Sequence, residues 1–98
     1  AKGGSIPPGT AIMNFFVYIL ISKLNSSYVT YVGYTNDIKK RLKLHNVGKG
    51  AKFTRGKYWV LIYKKKYKDK STAMKEEYKL KNDRIFRNKI KNRYINKL

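Results

Sequence analysis

The residues able to do acid–base or metal chemistry are few, and their scarcity narrows the choices. The sequence has five carboxylates, Asp37, Asp69, Glu76, Glu77 and Asp83, a single imidazole, His45, and no cysteine. Disulfides and cysteine-based zinc sites are therefore excluded. Asp37 falls in the first turn of a predicted helix, Asp69 in a lysine-rich turn and Asp83 at a helix junction; a structural role suffices for each. Glu77 instead shares a predicted helix face with Ala73 and Leu80, while Glu76, about 100° round the axis, points more outward. A carboxylate aimed at a core is costly unless it is paired or bound to metal. Two readings of Glu77 follow: metal or catalytic use, or an ion pair with Lys81 one turn on or with Arg41. Arg41 and His45, at i and i+4, share a face of an earlier helix. That pair could hold a phosphate with or without chemistry. Tyr18 and Tyr31 sit in two apolar runs, but in a chain with nine tyrosines two of them prove little alone.

Those side chains need elements to carry them. Phe15–Ile21, FFVYILI, and Tyr28–Tyr34, YVTYVGY, are β-branched and aromatic runs joined by the polar segment Ser22–Ser27, which predicts an antiparallel hairpin. Gly33 marks a bulge or a close backbone approach. Thr35-Asn36 can cap a helix that carries Ile38, Arg41, Leu42 and His45 and stops at Asn46-Val47-Gly48. A glycine-rich basic loop, GKGAKFTRGK (Gly48–Lys57), leads to a third strand, Tyr58–Tyr63, and then to a basic turn over Lys64–Lys70. Ser71 or Thr72 can cap a second helix, and Ile85, Phe86, Ile90, Tyr94 and Leu98 pattern a third. The expected fold class is α/β in the α+β sense: a small three-stranded antiparallel sheet flanked by about three helices. The segment 1–12, rich in Gly and Pro, reads as an appended leader before Met13, leaving one small domain over 13–98.

Charge points to the partner. Lys and Arg number 24 against the five carboxylates, for a formal net charge of +19. Such self-repulsion calls for a polyanion, and nucleic acid fits best, through phosphate neutralisation and counterion release. A compositional habit of AT-rich coding would also give many Lys, Asn, Ile and Tyr. A membrane surface fits poorly, since no basic stretch has a wide apolar face. The longest uncharged apolar run, Met13–Ile21, is too short to span a bilayer, so an intracellular protein, in cytoplasm, nucleoid or nucleus, is expected.

Taken together and in order, these residues resemble the GIY-YIG nuclease superfamily. Val17-Tyr18-Ile19 matches the first tripeptide of its motif, with Val17 where the name has Gly, and Tyr31-Val32-Gly33 matches the second. Tyr28 competes for the second tyrosine position, but Gly33 follows Tyr31 at the motif spacing and assigns Tyr31. Arg41 and His45 match the R-x-x-x-H helix, and Glu77 in EEYKLK matches the metal-binding Glu. In GKGAKFTRGKYW, Gly48, Gly50, Ala51, Lys52, Thr54 and Arg55 correspond to a segment of the short standalone members and of the structure-specific junction nucleases. The resemblance runs from Val17 to about Lys81.

It implies hydrolysis of a DNA phosphodiester assisted by one divalent metal, magnesium or alternatively manganese, with Glu77 as its protein ligand. Tyr31 would be the general base and Tyr18 would orient the water or a phosphate, roles that the two tyrosines could exchange. A cation, His45 or a lysine such as Lys49 or Lys52, would favour phenolate. Arg41 would clamp the scissile phosphate. Lys49, Lys52, Arg55, Lys57 and Lys81 would grip DNA, double-stranded or branched. With no base-reading helix and no targeting domain, DNA shape is the expected cue, and a protein partner could supply further specificity. The rival readings are a non-catalytic DNA- or RNA-binding module on the same fold and an RNA binder that stacks bases on exposed tyrosines.

Overall fold

The computed structural model describes residues 14–98; the expected leader, 1–12, and the boundary at Met13 lie outside the described residues. Three strands, β1 (Phe15–Leu24), β2 (Ser27–Thr35) and β3 (Val60–Tyr67), and three helices, α1 (Ile38–Asn46), α2 (Lys70–Lys81) and α3 (Arg84–Ile95), follow in the order β1-β2-α1-β3-α2-α3. The strands form one antiparallel sheet in the order β2-β1-β3. The expected α+β architecture is therefore present.

β1 is uninterruptedly apolar and aromatic because it is the central strand and both its faces are covered. Val17 and Ile19 point to one side and pack with Val32, Ala73, Leu80 and Ile90, so α2 and α3 cover that face. Tyr18 and Leu20 point to the other, where Trp59 and the α1 residues Ile38 and Leu42 meet them. Trp59 is tied to the end of α1, because its backbone N–H donates to Asn46 Oδ1 (2.6 Å) and its carbonyl accepts from Asn46 Nδ2 (3.1 Å).

Several local expectations change. The hairpin loop shrinks from Ser22–Ser27 to Asn25-Ser26, with Leu24 opposite Ser27 and Asn25 at a left-handed φ of 57°. Ser22 is buried within β1. Lys64–Lys66 continue β3 rather than forming a turn, since an edge strand tolerates a row of exposed lysines. The irregularity in the sheet lies between β1 and β3 at Ile19/Leu20, not at Gly33. None of the expected capping residues is the cap. Asp37, Asp69 and Asp83 are the three N-caps, their carboxylates accepting from the backbone N–H of Lys40, Thr72 and Phe86. A carboxylate there satisfies an orphan donor and meets the positive end of the helix dipole. Three of the five carboxylates are thereby accounted for, and only Glu76 and Glu77 remain for other work.

Candidate active site

Four side chains from four elements meet in one cleft of about 370 Å³. Tyr18 comes from β1, Tyr31 from β2, Arg41 from α1 and Glu77 from α2. Tyr31 lies opposite Leu20 and two residues from Gly33, whereas Tyr28 pairs with Lys23 at the far end of the hairpin and does not line the cleft. Glu77 turns inward as its helix face requires, and its side chain keeps only 17% exposure. It is also 3.4 Å from Lys81 Nζ, which is the ion pair expected one turn on. Glu76 belongs to a separate pocket on the α2–α3 side and pairs with Lys79. Glu77 is thus the one carboxylate among the described residues that lines the cleft.

The tyrosines differ in surroundings. Gly33 lies opposite Tyr18 in the sheet, and a Cβ there would stand 2.5 Å from Tyr18 Oη. Only glycine leaves room for the Tyr18 ring, so the close-approach reading of Gly33 holds. Tyr18 Oη is 2.9 Å from His45 Nε2, and His45 Nδ1 is 2.8 Å from Thr54 Oγ1. Tyr18, His45 and Thr54 are all buried. Burial, and after it the neighbouring Tyr31, push the Tyr18 phenol above its ordinary value, against the opposing pull of Arg41. Burial, then the Arg41 cation, hold the His45 imidazole below its own. A neutral phenol bonded to a neutral imidazole is the state this setting favours.

His45 accordingly does not line the cleft and is not the cation expected from the sequence; it stands behind Tyr18 and holds it. A Cβ at Gly50 would fall on the His45 ring, so the glycine-rich loop closes directly over the imidazole. Tyr31 is more open. Its ring is 5.0 Å from that of His45 and stacks on exposed Phe53 at 6.3 Å and 18°. Tyr31 Oη makes no hydrogen bond to another described residue.

Of the expected DNA-gripping residues, Lys49, Lys52, Arg55 and Lys81 are exposed. Lys57 is half-buried instead: its Nζ donates to the Phe53 carbonyl (3.0 Å) and lies 4.9 Å over the Phe53 ring. Sequence reasoning missed Thr54 and Gly50 as supports of His45, Phe53 as the platform against Tyr31, and Lys70 in the cleft wall. Lys70 stands seven residues before Glu77, two helical turns away, which is the signal that could have placed it there.

A family model described as the GIY-YIG catalytic domain matches residues 14–95. The chain belongs to the GIY-YIG family. Among similar proteins is a UPF0213 protein of Oceanobacillus iheyensis, 48% identical over 67 residues that make up 67% of this chain and 74% of the relative. The UPF0213 protein YazA of Bacillus subtilis is 46% identical over 69 residues, 69% of this chain and 67% of its own. The solution NMR structure of a UPF0213 protein from Bacillus halodurans is 36% identical, with a TM-score of 0.44 over 82% of this chain and 84% of that one. The resemblance read from Val17 to Lys81 is borne out at the level of the GIY-YIG family, whose domain is of nuclease type. Among the described residues no helix is long and apolar enough to cross a membrane.

Proposed function

We propose that the chain is a metal-dependent endonuclease that hydrolyses DNA phosphodiester bonds and is directed more by DNA shape than by sequence. The observation that carries this reading is the meeting of Tyr18, Tyr31, Arg41 and Glu77 in one polar cleft on a domain of net charge +19. Tyr31 takes the proton of the attacking water. What supports Tyr31 over Tyr18 is that Tyr18 is tied to His45 and pushed towards the protonated form. Arg41 grips the scissile phosphate through its fork of donors and offsets the charge that develops there. Lys49, Lys52 and Arg55 hold flanking phosphates without reading bases. A protein partner would add further specificity.

The donor set fits a hard divalent ion. No group of three His, Cys, Asp or Glu residues gathers among the described residues, whereas magnesium is commonly held by one or two carboxylates, with waters and substrate phosphate completing its octahedron. Glu77 would hold it. Bound there, magnesium or manganese would polarise the phosphate and stabilise the leaving oxygen.

A second reading, a non-catalytic nucleic-acid-binding module, draws on the Glu77–Lys81 pair, which already gives the carboxylate a partner. Plasmid, branched DNA and RNA incubated with magnesium or with EDTA separate the two. Magnesium-dependent nicking of DNA that is lost in Glu77→Gln and in Tyr31→Phe supports the enzyme. Salt-sensitive binding without nicking in any sample supports the module.

A further inference from the structure

We propose that Thr54 is a positioning residue that fixes His45 as its Nδ1–H tautomer and so makes the Tyr18 hydroxyl a pure acceptor towards the cleft. The hydrogen-bond geometry stands by itself; the catalytic consequence rests on the endonuclease reading.

Thr54 has one hydroxyl hydrogen and three partners. Its Oγ1 lies 2.9 Å from the Ala51 carbonyl, which can only accept, and 3.1 Å from the Ala51 N–H, which can only donate. Meeting both sends the single hydrogen to the carbonyl and leaves Oγ1 only lone pairs for His45 Nδ1 at 2.8 Å. Nδ1 must then carry a hydrogen. Nε2 of the neutral ring is bare, so the Tyr18 O–H donates to it across 2.9 Å. With its hydrogen turned inward, Tyr18 offers the cleft only lone pairs.

The parts that hold this chain are buried. Thr54 is 0% exposed and His45 1%, and the Thr54 carbonyl accepts from buried Trp59 Nε1 at 2.9 Å. Gly50 lets the loop lie against the imidazole, and Gly33 lets the phenol lie against β2. The opposite tautomer would turn every hydrogen round. Thr54 would donate to Nδ1, the Ala51 carbonyl would keep only the longer bond from the Thr54 backbone N–H (3.2 Å), and Nε2–H would free the Tyr18 hydrogen to point into the cleft.

The direction matters for hydrolysis. A water between the tyrosines donates one O–H to Tyr18 and the other to Tyr31, which leaves its lone pairs free for phosphorus. The new P–O bond forms from that water, the bond to the leaving strand breaks, the water's proton passes to Tyr31 acting as phenolate (its own proton having left to solvent beforehand), and the leaving oxygen takes a proton from solvent. Tyr18 gains no proton. In the opposite tautomer Tyr18 donates to the water, which occupies one of its two lone pairs and makes its oxygen a weaker nucleophile.

The sequence has a single histidine, so long-range 1H–15N spectra at neutral pH report its tautomer without ambiguity. Wild type should show Nδ1–H. Thr54→Val, which keeps the shape and removes the hydroxyl, should move the population to Nε2–H and lower kcat on plasmid by about 10- to 100-fold, the range seen when an orienting outer group is lost, with KM unchanged. Thr54→Ser should restore both. An Nε2–H or imidazolium signal in wild type overturns the proposal even where Thr54→Val does not fold. So does a Thr54→Val protein with the wild-type tautomer, or one with the altered tautomer and undiminished kcat. Wild type that shows the tautomer pattern but cuts nothing would sink the endonuclease reading and leave the lock in place.

Discussion

On the α2–α3 side of the sheet the buried residues are Val17, Ile19, Val32, Ala73, Leu80 and Ile90, all apolar. On the α1 side Leu20 is buried beside Tyr18, His45, Thr54 and Trp59, four residues that each carry a polar atom needing a partner. Those partners are present: no buried side-chain nitrogen or oxygen among the described residues lacks one. An apolar core tolerates small shifts, because dispersion and burial have little directionality. A hydrogen-bonded core does not, because each unmet group costs its full desolvation. One side therefore supplies stability and the other supplies orientation, and β1 belongs to both by alternating its side chains.

The largest stability change should come from the apolar side. Ile19→Ala removes a fully buried side chain and should cost about 2–5 kcal/mol in denaturant unfolding, while cleavage below the melting range stays near wild type. A comparable loss of activity would break the division between the faces. Gly33→Ala should cost less, about 1–3 kcal/mol, yet damage function more, because its Cβ would displace the Tyr18 hydroxyl. Unfolding and single-turnover cleavage measured on the same two proteins should rank them in opposite orders.

Acid should act through the polar side. The His45 imidazole is held below its ordinary value of 6.5, so the unfolded chain binds the proton more readily than the folded one. Stability from this group is present above pH 6.5 and is lost as pH falls from there through the folded value. Comparing unfolding of wild type with His45→Gln should show a steeper fall for wild type below pH 6.5. Equal slopes would mean that His45 is accessible and not locked. Asp83→Ala should have the smallest effect, about 1 kcal/mol for a lost N-cap, with no change in the His45 tautomer.

How much of this was legible beforehand depended on range. Continuous β-branched and aromatic runs showed β1 and β2, and the face shared by Ala73, Glu77 and Leu80 showed that Glu77 turns inward, because both patterns depend on neighbours in sequence. Helix starts were misplaced by one to three residues, since Thr35, Asn36, Ser71 and Thr72 are as able to cap as Asp37 and Asp69 that did. Ser22 and Lys23 read as loop by composition, although pairing with Val29 and Tyr28 draws them into the sheet. The Tyr18–His45–Thr54 chain was out of reach. Its links span 27 and 9 residues and exist only once α1 and the glycine loop have packed against β1. The loop's lysines and Arg55 drew attention to phosphate binding, while its small residues, Gly50 and Thr54, do the holding.

The most direct test of the cleft is single-turnover cleavage of a branched DNA with magnesium, with DNA binding followed in parallel for wild type, Arg41→Ala and Glu77→Gln. The account predicts that wild type cuts, that each variant loses about 10²- to 10³-fold in rate, and that Glu77→Gln still binds. Glu77→Gln folded, bound and cutting at the wild-type rate would contradict it.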